Sequence, residues 1–490
     1  MMLKTHHRGV ASRPAGGLNR GFVLLAGVLC GLIAARTTAD DALGVRVPDG
    51  FEVSLYADNE LASDIFSMTI DSFGRVVVSG PGYVRILIDA DGDGRAESFK
   101  QFAEGPASGA QGIHFYGRDL LCTGDAGLLR YRDADGDDVT DGVPDVFVKI
   151  KAGGEHDGHA IRRGPDGWWY LIAGNTAGVD EQYVALPSSP VRHPRHGTIL
   201  RFKPDLTAGE VFAHGFRNAY DFDFNADGDL LTFDSDGERE ISLPAYQPTR
   251  VFQATAGSHA GWMSDHWKRP AYFLDMPPVV AEFGRASPTG VVCYRHTQFP
   301  ETYRGALFVL DWTFGRIFAL PAARNGSVTG TKEPIPFLTA IGENGFAPTD
   351  AEVGPDGSLF VSVGGRGTRG GVYRIRAKAT KAAAIPTDQL TACLDAPQPL
   401  SSWSRARWEP VADVLGADAF LRVASDERQT TRRRVRAIEI LTERFKGIDA
   451  TVANRLAASP SREVRARLAW SLGRSRPQDP AVPPMQTLLK

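Results

Sequence analysis

The sequence contains few cysteines and carries little net charge, and each shortage excludes a class of protein. Its 490 residues include four cysteines. None has the C-x-x-C spacing of a zinc knuckle or the C-x-x-C-H motif of an attached c-type haem, so we expect no haem. The net charge of −3 provides no basic surface for nucleic acid, so we expect no nucleic-acid partner. Either one disulfide or three buried thiols is compatible with the cysteines beyond the N-terminal region, which are Cys122, Cys293 and Cys393.

The N-terminal 39 residues are typical of an export signal. Basic residues precede a short apolar run, Phe22 to Ala35, and small residues follow it up to Ala39. This order predicts a secretory signal peptide over residues 1–39 and a secreted or periplasmic protein. An uncleaved segment that associates the chain with a membrane is the alternative, although the run is shorter than the ~20 residues of a membrane span.

A turn-and-strand unit recurs through the Gly-rich part of the chain. It consists of an apolar residue, a D-x-x-G or P-D-G turn that can supply a positive φ, and a β-rich run. Four copies have the turn: residues 70–78, 164–172, 224–233 and 354–361. Two more units keep only the strand: residues 120–124 and 307–311. Six units over about 325 residues match the spacing of propeller blades, so we predict a mainly β fold with a six-bladed β-propeller over residues 45–377. A β-helix or a pair of sandwiches is the alternative.

The sequence changes character after residue 377. Residues 378–398 are predicted to be a linker, and residues 399–490 have Leu, Ala and Arg at helical spacing. Segments 434–438 and 463–467 match each other, and Ser459-Pro460-Ser461 before the second copy is a helix-start signal. This pattern predicts a small region of HEAT-like helical repeats, which could bind a protein partner. A plain helical bundle packed on the propeller is the alternative.

Two acidic loops carry carboxylates at positions 1, 3, 5 and 9. The first set is Asp89, Asp91, Asp93 and Glu97; the second set is Asp133, Asp135, Asp137 and Asp141. Calcium prefers several hard oxygen ligands, and this pattern resembles the calcium loops of integrin-type propeller blades, so Ca²⁺ is expected here. Position 12 is Lys100 or Pro144, which excludes an EF-hand. Asx-turns without a metal are the alternative.

Two polar segments are not part of the repeated unit. They are residues 155–159, which contain His156 and His159, and residues 214–221, which contain Arg217. A histidine beside a carboxylate can act as a general base near neutral pH. An arginine can hold an anionic cofactor or stabilise developing negative charge. Propeller sites lie on the central channel, so these segments are expected to contribute to one site.

The first segment resembles the soluble PQQ-dependent glucose and sorbosone (aldose sugar) dehydrogenases. His156 precedes the G-P-D-G turn by eight residues, and residues 215–218 match the G-h-R-N motif of that family. The resemblance implies that His156 is the base that takes the sugar hydroxyl proton and that Arg217 polarises the quinone. It also implies cofactor-binding positions at Asn218, Glu155 and Asp236.

A second resemblance covers most of the propeller. Five segments look like the planctomycete-type "membrane-bound dehydrogenase" proteins, which pair such a propeller with HEAT repeats; they are residues 218–221, 233–236, 248–251, 261–262 and 287–292. The quinone family, however, places a Lys in its fifth blade and an Arg pair in its sixth. Residues 311–316 contain no Lys and residues 347–350 contain no Arg.

Two functions are therefore open. One is an exported quinoprotein-like oxidoreductase that oxidises a sugar or related alcohol by hydride transfer to PQQ and passes electrons to an acceptor protein. The other is a non-catalytic propeller that binds or scaffolds other molecules and has a degenerate cofactor site. The retained His156 and Arg217 favour the first, and the missing cations favour the second.

Overall fold

The chain folds as a six-bladed β-propeller followed by a small helical region. A computed structural model describes residues 43–237, 243–244, 246–264, 267–326, 328–343, 345–379 and 388–474. The predicted signal peptide lies outside these residues. Each blade is an antiparallel sheet whose strands run from the channel outwards, so the predicted fold class is confirmed.

The first three blades are each continuous in sequence. Blade 1 contains Ser67–Ile70, Val76–Gly80, Tyr83–Ile88 and Ser98–Ala103. Blade 2 contains Gly112–Tyr116, Asp119–Gly124, Gly127–Tyr131 and Asp145–Lys149. Blade 3 contains Gly158–Arg163, Trp169–Ala173, Gly197–Phe202 and Gly209–Phe216.

The last three blades carry two added hairpins and close the ring. Blade 4 contains Phe222–Phe224, Leu230–Asp234, Arg250–Ala254 and Val279–Glu282, with the hairpin Trp262–Ser264 and Trp267–Lys268 inserted before its last strand. Blade 5 contains Pro288–Cys293, Leu307–Asp311, Arg316–Leu320, Ile335–Ala340 and the N-terminal strand Val45–Arg46, with the hairpin Ala322–Asn325 and Val328–Thr331. Blade 6 contains Pro348–Val353, Leu359–Val363, Gly371–Ala377 and Phe51–Ala57.

The recurring sequence unit is the hairpin between the first and second strands of a blade. In blade 3 this turn places Gly167 at a φ of 76°, a conformation that glycine adopts without steric cost. Every residue of the second strand is buried in five of the blades, as in Trp169–Ala173. Neighbouring blades cover both faces of that strand, which explains why it reads as a continuous apolar run.

The propeller is closed by strands from the N-terminal part of the described chain. Phe51 pairs with Ala377 in the third strand of blade 6, and the short strand at Val45 pairs with Ala340 of blade 5. Two blades therefore draw their outer strands from the N-terminal region. The three cysteines beyond residue 43 are free and buried, which matches the thiol alternative.

Six helices follow the propeller in the described part of the chain. They are Gln389–Leu394, Ser402–Leu415, Ala417–Ser425, Thr431–Arg444, Ala450–Ala457 and Arg462–Leu472. The first helix begins within the residues predicted to be a linker. Ser461 caps the last helix by accepting a hydrogen bond from the Val464 N–H, as the helix-start signal predicts. None of the described helices combines the length and hydropathy needed to cross a membrane.

The helical region packs on one face of the propeller. We call this the lower face, and it contains the turns between the first and second strands of the blades. Trp403 Nε1 donates to the Val353 carbonyl at 2.9 Å, and Arg405 Nη2 donates to the Gly164 carbonyl at 3.0 Å. Arg405 is buried and also pairs with Glu409 and Glu443. The helices therefore form an integral cap on the lower face.

Candidate functional site

A cavity of about 270 Å³ lies at the opposite, upper face of the propeller. We define the upper face by the segments that enter the first strands and leave the second strands, because these segments line the cavity. Six of the polar or aromatic lining residues matter here: Gln111, Glu155, His156, Arg217, Trp312 and Arg366. The cavity thus brings together the two polar segments that sequence reasoning singled out.

His156 is held in one orientation by a residue from the neighbouring strand end. Its Nδ1 lies 2.6 Å from Asn175 Oδ1. Because the amide oxygen only accepts hydrogen bonds, Nδ1 carries the proton and the lone pair lies on Nε2. The backbone N–H of Asn175 donates to the Arg217 carbonyl at 2.8 Å, which ties this support to the second polar segment.

The histidine is also kept neutral. Burial lowers the pKa of His156, the hydrogen bond to Asn175 opposes this effect, and the charge of Arg217 lowers the pKa further. At neutral pH the ring is therefore uncharged and has a basic nitrogen. This is the state that a general base requires before the reaction.

His159 has a different role. It is fully buried, its Nε2 lies 2.9 Å from Asn218 Oδ1, and its ring lies 4.2 Å from the ring of Tyr220. Burial lowers the pKa of His159 to about 4. His159 therefore supports the loop, whereas His156 faces the cavity.

Arg217 presents an unsatisfied donor. Nη1 donates to Ser235 Oγ at 2.9 Å, and the guanidinium lies 5.4 Å from the ring centre of Trp262. Nε is buried and has no acceptor among the described residues. An unpaired buried donor on a charged group is costly, so the side chain is suited to an anionic or carbonyl acceptor in the cavity.

The backbone of this segment is shaped by a glycine and a buried carboxylate. Gly215 has a φ of 76°, and a Cβ there would lie 2.2 Å from His259 Nδ1, so only glycine fits. Asp234 accepts the backbone N–H groups of Arg217 at 3.0 Å and Asn218 at 2.8 Å. Burial raises the pKa of Asp234 to about 7, although these two hydrogen bonds lower it.

The other predicted cofactor residues occupy different positions. Asn218 lines the cavity, but its amide is engaged, with Oδ1 on His159 and Nδ2 donating to the Glu155 carbonyl at 3.0 Å. The Glu155 carboxylate pairs with Arg366 at the cavity mouth. Asp236 is buried beside Arg250 at 3.3 Å and is absent from the described cavity lining.

Sequence reasoning missed three contributors to the site: Gln111, Asn175 and Trp312. Gln111 is buried, lines the cavity, and its Oε1 has no donor among the residues described. Trp312 Nε1 donates to the Gly364 carbonyl at 2.8 Å, which fixes its ring as a wall of the cavity. Each is a polar or aromatic residue at the end of a blade strand, and that position is the only signal in the sequence.

A polar cluster crosses the channel below the cavity. Arg162 lies 2.9 Å from Asp221 and 2.7 Å from Glu352, and all three are mostly buried. Burial raises the pKa of Glu352 to about 7, while Arg162 lowers it. Together with the helical cap, this cluster separates the cavity from the lower face.

The two acidic loops lie away from the cavity, between the third and fourth strands of blades 1 and 2. In the first loop, single ligand atoms of Asp89, Asp91, Asp93 and Glu97 all lie within 4.8 Å of one another. In the second loop this holds for Asp133, Asp135 and Asp141. Asp137 is outside that group, and its Oδ1 accepts the Val139 N–H at 2.8 Å.

The chain belongs to the family described as "Domain of unknown function (DUF7133)", which matches residues 38–362. No curated protein matches the sequence.

Several solved structures share the propeller fold. A Trichoderma reesei carbohydrate-active enzyme of family AA12 is 13% identical, with 68% of this chain and 97% of that chain covered and a TM-score of 0.53. A Thermus thermophilus protein provisionally named an oxidoreductase (glucose dehydrogenase) is 19% identical, covering 66% and 100%, with a TM-score of 0.50. The PQQ-bound aldose sugar dehydrogenase of Streptomyces coelicolor is 16% identical, covering 68% and 100%, with a TM-score of 0.48. At these identities the likeness to the first two structures shows the fold alone.

Proposed function

We propose that this DUF7133 member is an exported quinoprotein-like oxidoreductase that oxidises a hydroxyl group of a sugar or related alcohol in the upper cavity. The observation that carries the proposal is that a neutral, oriented His156 and Arg217 line one cavity. Two proteins of the same fold have names that refer to carbohydrate or glucose chemistry, which agrees with this class of substrate. The propeller-then-helix order also agrees with membership of the "membrane-bound dehydrogenase" group.

The cavity residues fit PQQ in part. Arg217 Nε lacks an acceptor and Gln111 Oε1 lacks a donor among the described residues, and both polar needs could be met by a heteroaromatic quinone. Trp312 supplies a flat wall. PQQ has three carboxylates, however, and only Arg217 and Arg366 provide cations in the described lining. We expect weak binding, because each missing charge-assisted contact costs ~1.5–3 kcal/mol.

The chain's own residues would perform five tasks. When bound, PQQ supplies a two-electron acceptor for the hydride from the carbinol carbon. His156 Nε2 accepts the hydroxyl proton, and Asn175 keeps the Nδ1–H in place. Arg217 stabilises negative charge that develops on the acceptor. Gln111 Oε1 accepts a hydrogen bond from a donor on the ligand, and the polar cluster below limits entry of water from the lower face.

Reconstitution tests this function. The full chain is mixed with PQQ and Ca²⁺, binding is followed by quinone absorbance, and dye reduction is measured with a panel of aldoses. We expect activity with at least one aldose and a loss of ~10²-fold or more in His156→Ala with binding retained. His193→Ala is the matched control, because that histidine is 79% exposed. Binding without dye reduction by any aldose, or equal activity in His156→Ala, would contradict the proposal.

The cation count favours a second candidate. A cavity with Arg217, Arg366 and the opposing Glu155 carries a small positive charge for a ligand with three carboxylates. If PQQ does not bind, the better explanation is a non-catalytic propeller that binds or scaffolds an uncharged glycan or a protein. Calorimetry with neutral oligosaccharides would then give binding that Trp312→Ala weakens.

We also propose that the acidic loops bind calcium, since each gathers carboxylates in a tight turn. Terbium luminescence and the calcium dependence of Tm test this directly. Pull-down experiments with the active protein would identify the proposed electron acceptor and any protein partner of the helices.

A further inference from the structure

Blade 4 displays a group of large apolar side chains that contribute nothing to the core. We call it the blade-4 tip, and it consists of Trp267, Tyr272, Phe273 and Leu274. Their exposed fractions are 59%, 80%, 42% and 104% in that order. Single exposed apolar residues are common, but four this exposed within eight residues of one insertion mark an interaction surface. A value near 100% also means that Leu274 projects outwards instead of lining a groove.

The blade-4 tip is held in a defined conformation. The Phe273 N–H donates to the Pro270 carbonyl at 3.3 Å, and the Met276 N–H donates to the Phe273 carbonyl at 3.2 Å. The rings of Tyr272 and Phe273 stack with centres 5.3 Å apart. These turns and the stack present the apolar side chains together, so little conformational entropy is lost when they bind.

Cationic residues surround the blade-4 tip. Arg269 stacks on Phe273 at 4.9 Å and pairs with Asp275. The exposed Arg192 and Arg195 lie on the adjacent segment of blade 3. Within the described residues neither Arg192 nor Arg195 forms an ion pair. Arg192 and Arg195 therefore add positive charge beside the apolar projection, where Asp275 offsets Arg269 and Glu181 lies within electrostatic range of Arg195.

The adjacency of the two segments follows from a chain of contacts. The Arg195 N–H donates to His214 Nδ1 at 3.1 Å, and the His214 and His259 rings lie 4.5 Å apart. The His259 N–H donates to the Asp275 carbonyl at 2.9 Å. Blade 3 and the blade-4 insertion thus form one continuous surface.

We propose that the blade-4 tip docks the protein on the surface of a bilayer that contains anionic lipid. Tyrosine and tryptophan favour the membrane–water interface, leucine enters the acyl boundary, and arginines attract anionic headgroups. The described side chains of the tip project outwards and form no groove that could hold a peptide. A lipid surface is therefore a better match for the tip than a peptide is. Two signals, apolar insertion and charge, together give stable but reversible binding.

Quenching of Trp267 tests this on the full chain. The protein is titrated with vesicles of brominated phosphatidylcholine, with and without phosphatidylglycerol. The chain has eight tryptophans. The difference in quenching between the wild type and Trp267→Phe therefore reports on Trp267 alone. This readout also separates the tip from any binding by the N-terminal apolar run.

We expect quenching of Trp267 with phosphatidylglycerol vesicles, less at high salt, and about tenfold weaker partition for the double variant Tyr272→Ser/Leu274→Ser. Val143→Ser is the matched control, because Val143 is 91% exposed in the second acidic loop, and it should bind as the wild type does. Absence of quenching, or equal quenching of the double variant, would overturn the proposal. A third result would also overturn it: the wild type self-associates in sedimentation, the double variant does not, and neither binds vesicles. The tip would then bind a second copy of the chain.

Discussion

Replacing Arg405 by Met should destabilise the whole protein, because this residue joins the helical cap to the propeller from a buried position. Its side chain is 1% exposed. Nη1 lies 2.9 Å from Glu409 Oε1 and also pairs with Glu443, and Nη2 donates to the Gly164 carbonyl. Methionine has a similar length but no charge, so Glu443 would remain buried without its closest cation, with Arg163 at 3.7 Å and Arg436 farther away.

The magnitude follows from this geometry. Removing one partner of a buried ion pair costs roughly 3–5 kcal/mol, because the other charge is left without compensation. Burial already raises the pKa of Glu443 above its ordinary value, and Arg405 opposes this. In the variant the folded-state pKa rises further above the unfolded value. The free energy of unfolding therefore falls as pH increases beyond the unfolded pKa of Glu, and the loss should be larger at pH 8 than at pH 5.

Urea unfolding followed by tryptophan fluorescence and circular dichroism measures this loss. Arg407→Met is the control, since Arg407 lies on the same helix but is exposed, and we expect a change of no more than ~0.5 kcal/mol there. A loss below ~1 kcal/mol for Arg405→Met would refute the argument. Two separate transitions, with only the helical one shifted, would refute the view that cap and propeller unfold as one unit.

The remaining predictions concern the cavity and the acidic loops. Arg217→Gln removes the charge that lowers the pKa of His156, so the acidic limb of the pH–rate profile should move to higher pH; an unmoved limb would mean that His156 is not the base. Asn175→Ala frees the His156 ring, so kcat should fall about tenfold with little change in KM; a change confined to KM would instead indicate a binding role. Calcium at 100 times its Kd should stabilise the fold by ~2.7 kcal/mol per site, and Asp89→Asn and Asp133→Asn should each reduce the rise in Tm, whereas a rise that persists in both would place the ion elsewhere.

The propeller could be predicted from sequence because its signal is local. The turn at Gly167 and the strand Trp169–Ala173 are adjacent in the chain, and the same hairpin recurs in other blades. The connections between the third and fourth strands differ from blade to blade, so the repeat is less regular there. The pairing of Phe51 with Ala377 depends on ring closure between distant segments, which no local pattern records.

The candidate site was only partly predictable for the same reason. His156 and His159 have the same chemistry and are three residues apart, yet one faces the cavity and the other is buried against Tyr220. Gln111 is an ordinary polar residue until the fold brings it to the cavity, and Asn175 is one until the fold places it against His156. Asp236 has the expected residue type but is turned towards Arg250.

The buried charges on the lower face bear on what the helices do. Trp403 and Arg405 direct one face of the helical region into the propeller. Arg467 likewise reaches the Asp227 carbonyl of blade 4. These contacts bury that face of the helices within the chain. Because the polar cluster at Arg162 also blocks the channel from below, we expect ligands to reach His156 through the upper face.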